Sequence, residues 1–343
     1  MSQFTTVFIP PRLDLAASLQ FAGDLAALSP DLNAVLVDFS QMAWVEPFGM
    51  LVVAQAIQQL RKRAPQTIPA PINLPSNTAE GYATHVGFFD ACAFPLTKPY
   101  GEAKGSSIYL PITRKISSDL MFSRDAETLG RELAQKLTQQ AEGELVRTLA
   151  YSFCEIIRNV LEHSRSPEFW YCAQYWPANG TAEIALMDSG IGLRASLSNN
   201  PYARAHLTSD EMVLKCALMP GMSGRRWGKG RVSDDVWENT GYGLYMNYRI
   251  CDEGGSFFIA SGSKGLYRGK DSPNVYHDYH LPGVALRLKM RVEVMQGFGK
   301  HLRHQFLADA EREASQIEGG ILPTGDKMSQ MLRSGFNPTK EDL

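Results

Sequence analysis

The chain is short of the features that mark several protein classes. Its five cysteines, Cys92, Cys154, Cys172, Cys216 and Cys251, form no C-x-x-C pair. Buried free thiols in a reducing cytoplasm are therefore their expected state. No apolar run reaches the roughly 18 residues a membrane helix needs; the longest candidate, 42–54, is broken by Glu46, Pro47 and Gly49. The start, M-S-Q-F-T-T-V-F-I-P-P-R-L-D, has no basic segment followed by an apolar one, so no signal peptide is expected. Lys plus Arg number 34 against 36 Asp plus Glu, and this balance implies neither nucleic acid nor an anionic membrane as the main partner. There is no G-x-x-x-x-G-K-[ST] phosphate loop, D-S-G-I-G-L is not a dinucleotide fingerprint, and no internal repeat occurs. His277 and His280, in H-D-Y-H, read as solvated side chains rather than metal ligands.

What is present is an ordinary globular composition, 44% hydrophobic and 20% charged over 343 residues, long enough for two domains. Residues 1–112 read as one small α/β unit. A-V-L-V-D-F (34–39) has the β-branched content of a short buried strand. Residues 48–61 space Met50, Val53, Ala54, Ile57 and Leu60 as a helix does. Residues 64–76 hold four prolines and suit a loop, an edge-type strand and a turn. Residues 94–118, with Pro95, Pro99, Gly101, Gly105 and Pro111, read as a linker. After it, helices are expected over 125–140, 145–164 and 243–251, and strands over 169–175, 182–187, 256–260 and 284–291. Residues 298–317 suit an amphipathic helix and the remainder a loosely ordered end. This order of strands and helices suits a layered α/β sandwich over 113–293, with 294–343 as a helical and flexible tail.

Three short motifs carry chemistry. The first, E-I-I-R-N-V-L-E-H-S (155–164), lies on the longer helix. Leu149, Phe153, Ile156 and Val160 form its core-facing stripe, while Glu155 and Asn159, four apart, stack on another face. An amide oxygen there can coordinate Mg²⁺, and a carboxylate can position or deprotonate a nucleophile. The second, D-S-G-I-G (188–192), follows the apolar strand A-E-I-A-L-M. Asp188 can accept from an adenine amino group, with Gly190 and Gly192 allowing a sharp turn. The third, N-T-G-Y-G-L (239–244), places Thr240, Gly241, Gly243 and Leu244 at a helix start, where backbone N–H groups suit phosphate oxygens. Between the second and third motifs lie about 46 residues, including the basic, glycine-rich S-G-R-R-W-G-K-G-R with Arg225, Arg226, Lys229 and Arg231.

In this order the motifs resemble the nucleotide site of the GHKL superfamily, which includes gyrase, heat-shock chaperone ATPases, histidine kinases and mismatch-repair ATPases. The resemblance implies a two-layer α/β sandwich of the Bergerat type with ATP and Mg²⁺ as ligands. It implies Glu155 as catalytic base, Asn159 as metal ligand and Asp188 as the residue that gives base specificity. Gly190, Gly192, Thr240, Gly241, Gly243 and Leu244 would complete the nucleotide site, and the stretch of about 46 residues between the second and third motifs, which carries the basic segment, would be a mobile lid. His163 matches a position where kinases of the superfamily often carry histidine.

A second resemblance covers the first part of the chain. V-L-V-D-F-S-Q-M-A-W-V-E-P-F-G-M-L-V-V (35–53) and the later L-P-S and Y-A-T-H-V-G-F-F stretches resemble STAS domains, the anti-sigma-factor antagonist fold. Three functions follow: an ATP-hydrolysing switch for a protein partner, a serine or histidine kinase acting in trans, or a nucleotide-binding module without catalysis. In phosphorylated STAS proteins the acceptor serine starts the helix after the D-x-S strand. Here Pro47 stands at about that position and has no hydroxyl, and 119–141 contains no histidine to act as a kinase acceptor. The implied partners are ATP and ADP, an unidentified protein and a second copy of the chain, in the cytoplasm.

Overall fold

A computed structural model of the chain describes residues 4–94, 108–120, 123–224, 241–270, 272–297 and 300–317. The first unit comprises β1 (Phe4–Phe8), β2 (Arg12–Leu13), α1 (Leu15–Ala27), β3 (Ala34–Asp38), β4 (Trp44–Val45), α2 (Pro47–Arg63), β5 (Ile68–Ile72), α3 (Thr78–His85) and α4 (Phe88–Ala91). β1, β3 and β5 form a parallel three-stranded sheet in that order. β5 is the proline-bearing edge strand expected from the sequence. Pro69 and Pro71 lack N–H groups, and only an edge strand tolerates that.

The rest comprises β6 (Tyr109–Ile116), α5 (Ser123–Thr138), α6 (Glu144–Asn159), β7 (Glu168–Trp176), β8 (Thr181–Asp188), α7 (Gly192–Leu197), α8 (Pro201–Arg204), α9 (Asp210–Ala217), α10 (Gly243–Asp252), β9 (Ser256–Ser261), β10 (Lys264–Gly269), β11 (Val275–Asp278), β12 (Val284–Arg291), α11 (Val292–Gly297) and α12 (Lys300–Ser315). Its strands form one antiparallel sheet, ordered β11-β10-β9-β12-β8-β7-β6. The fold is therefore mixed α/β, built on a seven-stranded antiparallel sheet.

Two expectations need correction. Residues 109–116 are not linker but edge strand β6, so the boundary drawn at 112 falls inside a strand. Pro111 sits where the β6–β7 register shifts between Leu110 and Thr113, and such an irregularity accommodates a missing N–H. His277 also lies in a strand, β11, with its ring against Phe258 and Tyr267.

Alternation along the strands builds two cores. Ala182, Ile184 and Leu186 of β8, Phe257 and Ile259 of β9, and Leu286 and Leu288 of β12 pack with α5, α6 and α10. Ala185 and Met187, Phe258 and Ala260, and Ala285 face the other way, into one cluster with α1 and α2. Helix α2 lies between the two sheets, which is why every residue from Pro47 to Ile57 is buried rather than a single stripe. The N-terminus of α2 meets Glu183 of β8, whose carboxylate accepts from the Phe48 N–H at 3.1 Å. The five cysteines are free and buried. Among the described residues no helix is long and apolar enough to cross a membrane.

Phe48 is fully buried, with its ring 5.3 Å from Phe258 in an edge-on contact between the two units. Phe48→Ala is expected to cost about 3–5 kcal/mol. Because the core is shared, unfolding in urea should be one transition. Far-UV circular dichroism and the fluorescence of single-tryptophan variants retaining Trp44 (first unit) or Trp170 (β7) should coincide. Two resolved transitions would show that the units unfold independently.

Candidate functional site

The three motifs converge on one cleft between α6, the ends of β8 and β12, and α10. Of the residues expected at the site, Asn159, Asp188, Gly192, Gly241, Gly243 and Leu244 line it, as does His163. Most of the remaining wall is apolar, with Leu186, Leu193, Val284 and Leu286 among its residues.

Local sequence explains each position. Helix α6 is buried along almost its whole length and continues into a single π-helical turn, Val160–Ser164, that ends at Arg165 in the left-handed region with φ 54°. Such turns often mark functional sites. The turn brings the Ser164 carbonyl to the D-S-G-I-G segment, where it accepts from the Ile191 N–H at 2.8 Å. A Cβ on Gly190 would lie 2.0 Å from that oxygen, so glycine is required there by close approach to α6. Gly190 thus supports the cleft from behind instead of lining it.

Asp188 ends β8 and is 6% exposed. Its Oδ1 accepts from the Gly190 N–H at 2.8 Å. Burial pushes its carboxyl up to about 6, against the opposing effect of hydrogen bonds from the Gly190 and Val284 amides. Asn159 lines the cleft, and its Nδ2 is buried with no hydrogen-bond partner among the described residues. Leaving a buried amide unpaired costs about 1–3 kcal/mol, so a polar ligand at this wall would be stabilised.

Glu155 is placed differently from its expected role. It does not line the cleft. Its carboxylate packs behind Gly243, where a Cβ would fall 2.0 Å from Oε2, and it pairs with Arg158 at 3.5 Å. Arg158 also pairs with Glu162 at 3.5 Å. Burial raises the Glu155 carboxyl, Arg158 opposes that shift and Glu162 reinforces it. Gly243 is therefore the space that admits Glu155 beneath the start of α10.

Thr240 and the four basic residues Arg225, Arg226, Lys229 and Arg231 lie outside the described residues. Much of the segment expected as a lid is helical: α7, α8 and α9 enclose a small core of Leu197, Ala203, Leu207, Val213, Cys216, Ala217 and Met222. Asn200, fully buried, ties it together. Its Oδ1 accepts from the Tyr202 and Ala203 amides, and its Nδ2 donates to the Ser223 carbonyl at 3.0 Å. Sequence reasoning did not anticipate the wall formed by Ser196, Leu197, Met222, Ser223 and Gly224. The N-P pair at 200–201, a cap followed by Pro at the first helical position, was a usable signal for part of it.

No protein-family model, curated protein or solved structure matches the chain.

The raised Asp188 carboxyl has a consequence for stability. Its folded pKa lies above the roughly 3.9 of an unfolded chain. The folded state therefore holds the extra proton between about pH 4 and 6, and stability falls as pH rises through that window. At neutral pH the ionised form costs about 3 kcal/mol, less about 1 for an amide that Asn no longer satisfies. Asp188→Asn should thus raise the melting temperature of the ligand-free chain at pH 7.5 and lose that gain near pH 4. Differential scanning calorimetry at both pH values checks this; an equal effect at both would remove ionisation as the cause.

Proposed function

We propose that the chain is an adenine-nucleotide-binding regulatory protein of the GHKL type, with a STAS-like unit packed on the back of its nucleotide-binding sheet. The carrying observation is that Asn159, Asp188 and the Gly241–Leu244 turn, from three separated motifs, line one cleft. In this reading Asp188 accepts from the adenine amino group, and the apolar walls enclose the base. The start of α10, with Gly241 and Gly243, faces the phosphates. Asn159 lies on the wall, where its unpartnered Nδ2 suits an acceptor such as a phosphate oxygen and its Oδ1 would be the atom to meet a hydrated Mg²⁺. Mg²⁺, when bound, supplies charge neutralisation for phosphate oxygens. The buried free thiols accord with a cytoplasmic setting.

Hydrolysis is the second layer of the proposal and rests on Glu155. One helical turn from Asn159, this carboxylate is near enough to serve the site, but its ion pair with Arg158 and its seat behind Gly243 hold it off the cleft. That arrangement favours nucleotide binding as the primary activity, with turnover requiring Glu155 to leave Arg158. It also gives the non-catalytic reading its specific support. Self-phosphorylation at the start of α2 is disfavoured on chemical grounds, because Pro47 and Phe48 there have no hydroxyl and are buried.

Calorimetry with ADP and ATP, with and without Mg²⁺, tests the reading. Asp188→Asn should weaken binding about 10- to 150-fold, the worth of a charge-assisted hydrogen bond of roughly 1.5–3 kcal/mol. Discrimination against GTP should narrow with it. Asn159→Ala should remove the Mg²⁺-dependent part of the affinity. Absence of adenine-nucleotide binding at millimolar concentration ends the proposal.

Turnover is read separately, as phosphate release or phosphoprotein formation with a partner present. Glu155→Gln should bind ATP normally and lower the rate about 10²- to 10⁴-fold. Unchanged turnover in that variant removes Glu155 as the base. Nucleotide binding with neither phosphate release nor phosphoprotein establishes the non-catalytic form.

A further inference from the structure

The strands that line the cleft have a second face, and that face holds the start of α2. On β8, Leu186 and Asp188 line the cleft, while Glu183, Ala185 and Met187 point to α2. On β12, Val284 and Leu286 line the cleft, while Ala285 and Arg287 point to α2. Glu183 has no exposed surface. One of its oxygens accepts from the Phe48 N–H at 3.1 Å, the other from Arg287 at 2.9 Å. Arg287 reaches on to Glu46, the residue preceding α2, at 3.2 Å and to Ser256 at 3.3 Å. Lys289 lies 3.9 Å from Glu46 and 4.0 Å from Glu183. Four charges thus sit together at this interface, two of each sign.

We propose that this network is a latch through which occupancy of the cleft is transmitted to the first unit. The proposal rests on the nucleotide reading of the cleft. Buried ion pairs contribute little net stability, because loss of hydration offsets their attraction; what such a network supplies here is one docking geometry for the start of α2. β8 and β12 pair directly, residue for residue, from Thr181–Arg291 to Met187–Ala285. A ligand held by Asp188, Val284 and Leu286 therefore restrains the same two strands that carry Glu183 and Arg287. The coupling is reciprocal: a ligand that tightens the strand pair tightens the latch, and loosening the latch weakens the ligand. The first unit is then the output element of the nucleotide site, and α2 is its moving part.

The test uses the full chain, ADP as probe, and calorimetry on the same samples to establish binding. Hydrogen–deuterium exchange of the peptide 46–52, which contains the Phe48 amide, should slow at least threefold when ADP saturates the wild type. Glu183→Gln combined with Arg287→Met removes both central charges at similar volume. This variant should lose the ADP-induced slowing and bind ADP at least fivefold more weakly, although neither side chain lines the cleft. If the double variant does not fold, Glu46→Gln, on the partly exposed side of the latch, carries the same comparison. Binding by calorimetry with exchange at 46–52 changed less than threefold overturns the coupling and leaves the nucleotide reading standing. An intact ADP effect on exchange in the latch variants also overturns it. Absence of binding overturns the nucleotide reading and the coupling together.

Discussion

Burial of β8 and β12 on both faces is the constraint from which most of this architecture follows. A strand exposed on one side needs only one apolar face, whereas these must satisfy two different neighbours. Toward α6 and α10 they present bulk, in Ile184, Leu186, Leu286 and Leu288. Toward α2 they present Ala185 and Ala285, with Ala260 of β9 beside them. Small residues let the helix axis come close, and Gly49 of α2 makes a comparable approach to the Leu13 carbonyl, 2.1 Å from where its Cβ would be. A helix so enclosed cannot use water to satisfy its first N–H groups. Glu183 supplies the acceptor, and a carboxylate suits the positive end of the helix dipole. That carboxylate in turn needs cations, which Arg287 and Lys289 provide. The polar network in the interface is thus the consequence of burying a helix start between two sheets.

The legible part of the fold was the part governed by period. Strands β3, β7, β8, β9 and β12 and helices α2, α5, α6, α10 and α12 lie where alternation or helical spacing placed them. The proline-rich stretch around Ile68–Ile72 was legible as an edge strand because missing donors restrict where proline can pair. The same reasoning misread β6: Pro111 looked like a break, but a register shift absorbs it. The helices of 192–217 were missed because none exceeds eight residues, too short for a periodic signal. Their stability comes from caps and a seven-residue core instead.

The candidate site was legible as residue types and illegible as faces. Asp188, Asn159 and Gly243 were identified from motif chemistry and meet in the cleft. Spacing placed Glu155 and Asn159 on one helix face, and four residues on a helix do leave them neighbours. Spacing has no information about which of the two meets the cleft and which meets α10. That was decided by Gly243, whose missing side chain opens a seat for Glu155, and by Arg158, which occupies the carboxylate there. Gly190 shows the same limit. Glycine was expected for closeness to a ligand, and the structure requires it for closeness to the Ser164 carbonyl.

Two carboxylates five residues apart on β8 are buried in different surroundings. Glu183, with no exposed surface, faces Arg287 and Lys289 and a helix N–H, so its charge is answered within the fold. Asp188, almost as deeply buried, receives backbone N–H groups from Gly190 and Val284 and faces no cation among the described residues. Packing alone gives no reason to keep an under-compensated acid there, since an asparagine or an apolar residue would cost less at neutral pH. A buried acid lining a cleft with a shifted pKa is where a ligand donor is expected. A ligand N–H reaching Asp188 would supply the stabilisation that the fold withholds, and would act on the same strand whose opposite face grips α2. The arrangement places an acid left without a cation and the carboxylate that holds the start of α2 on opposite faces of a single strand.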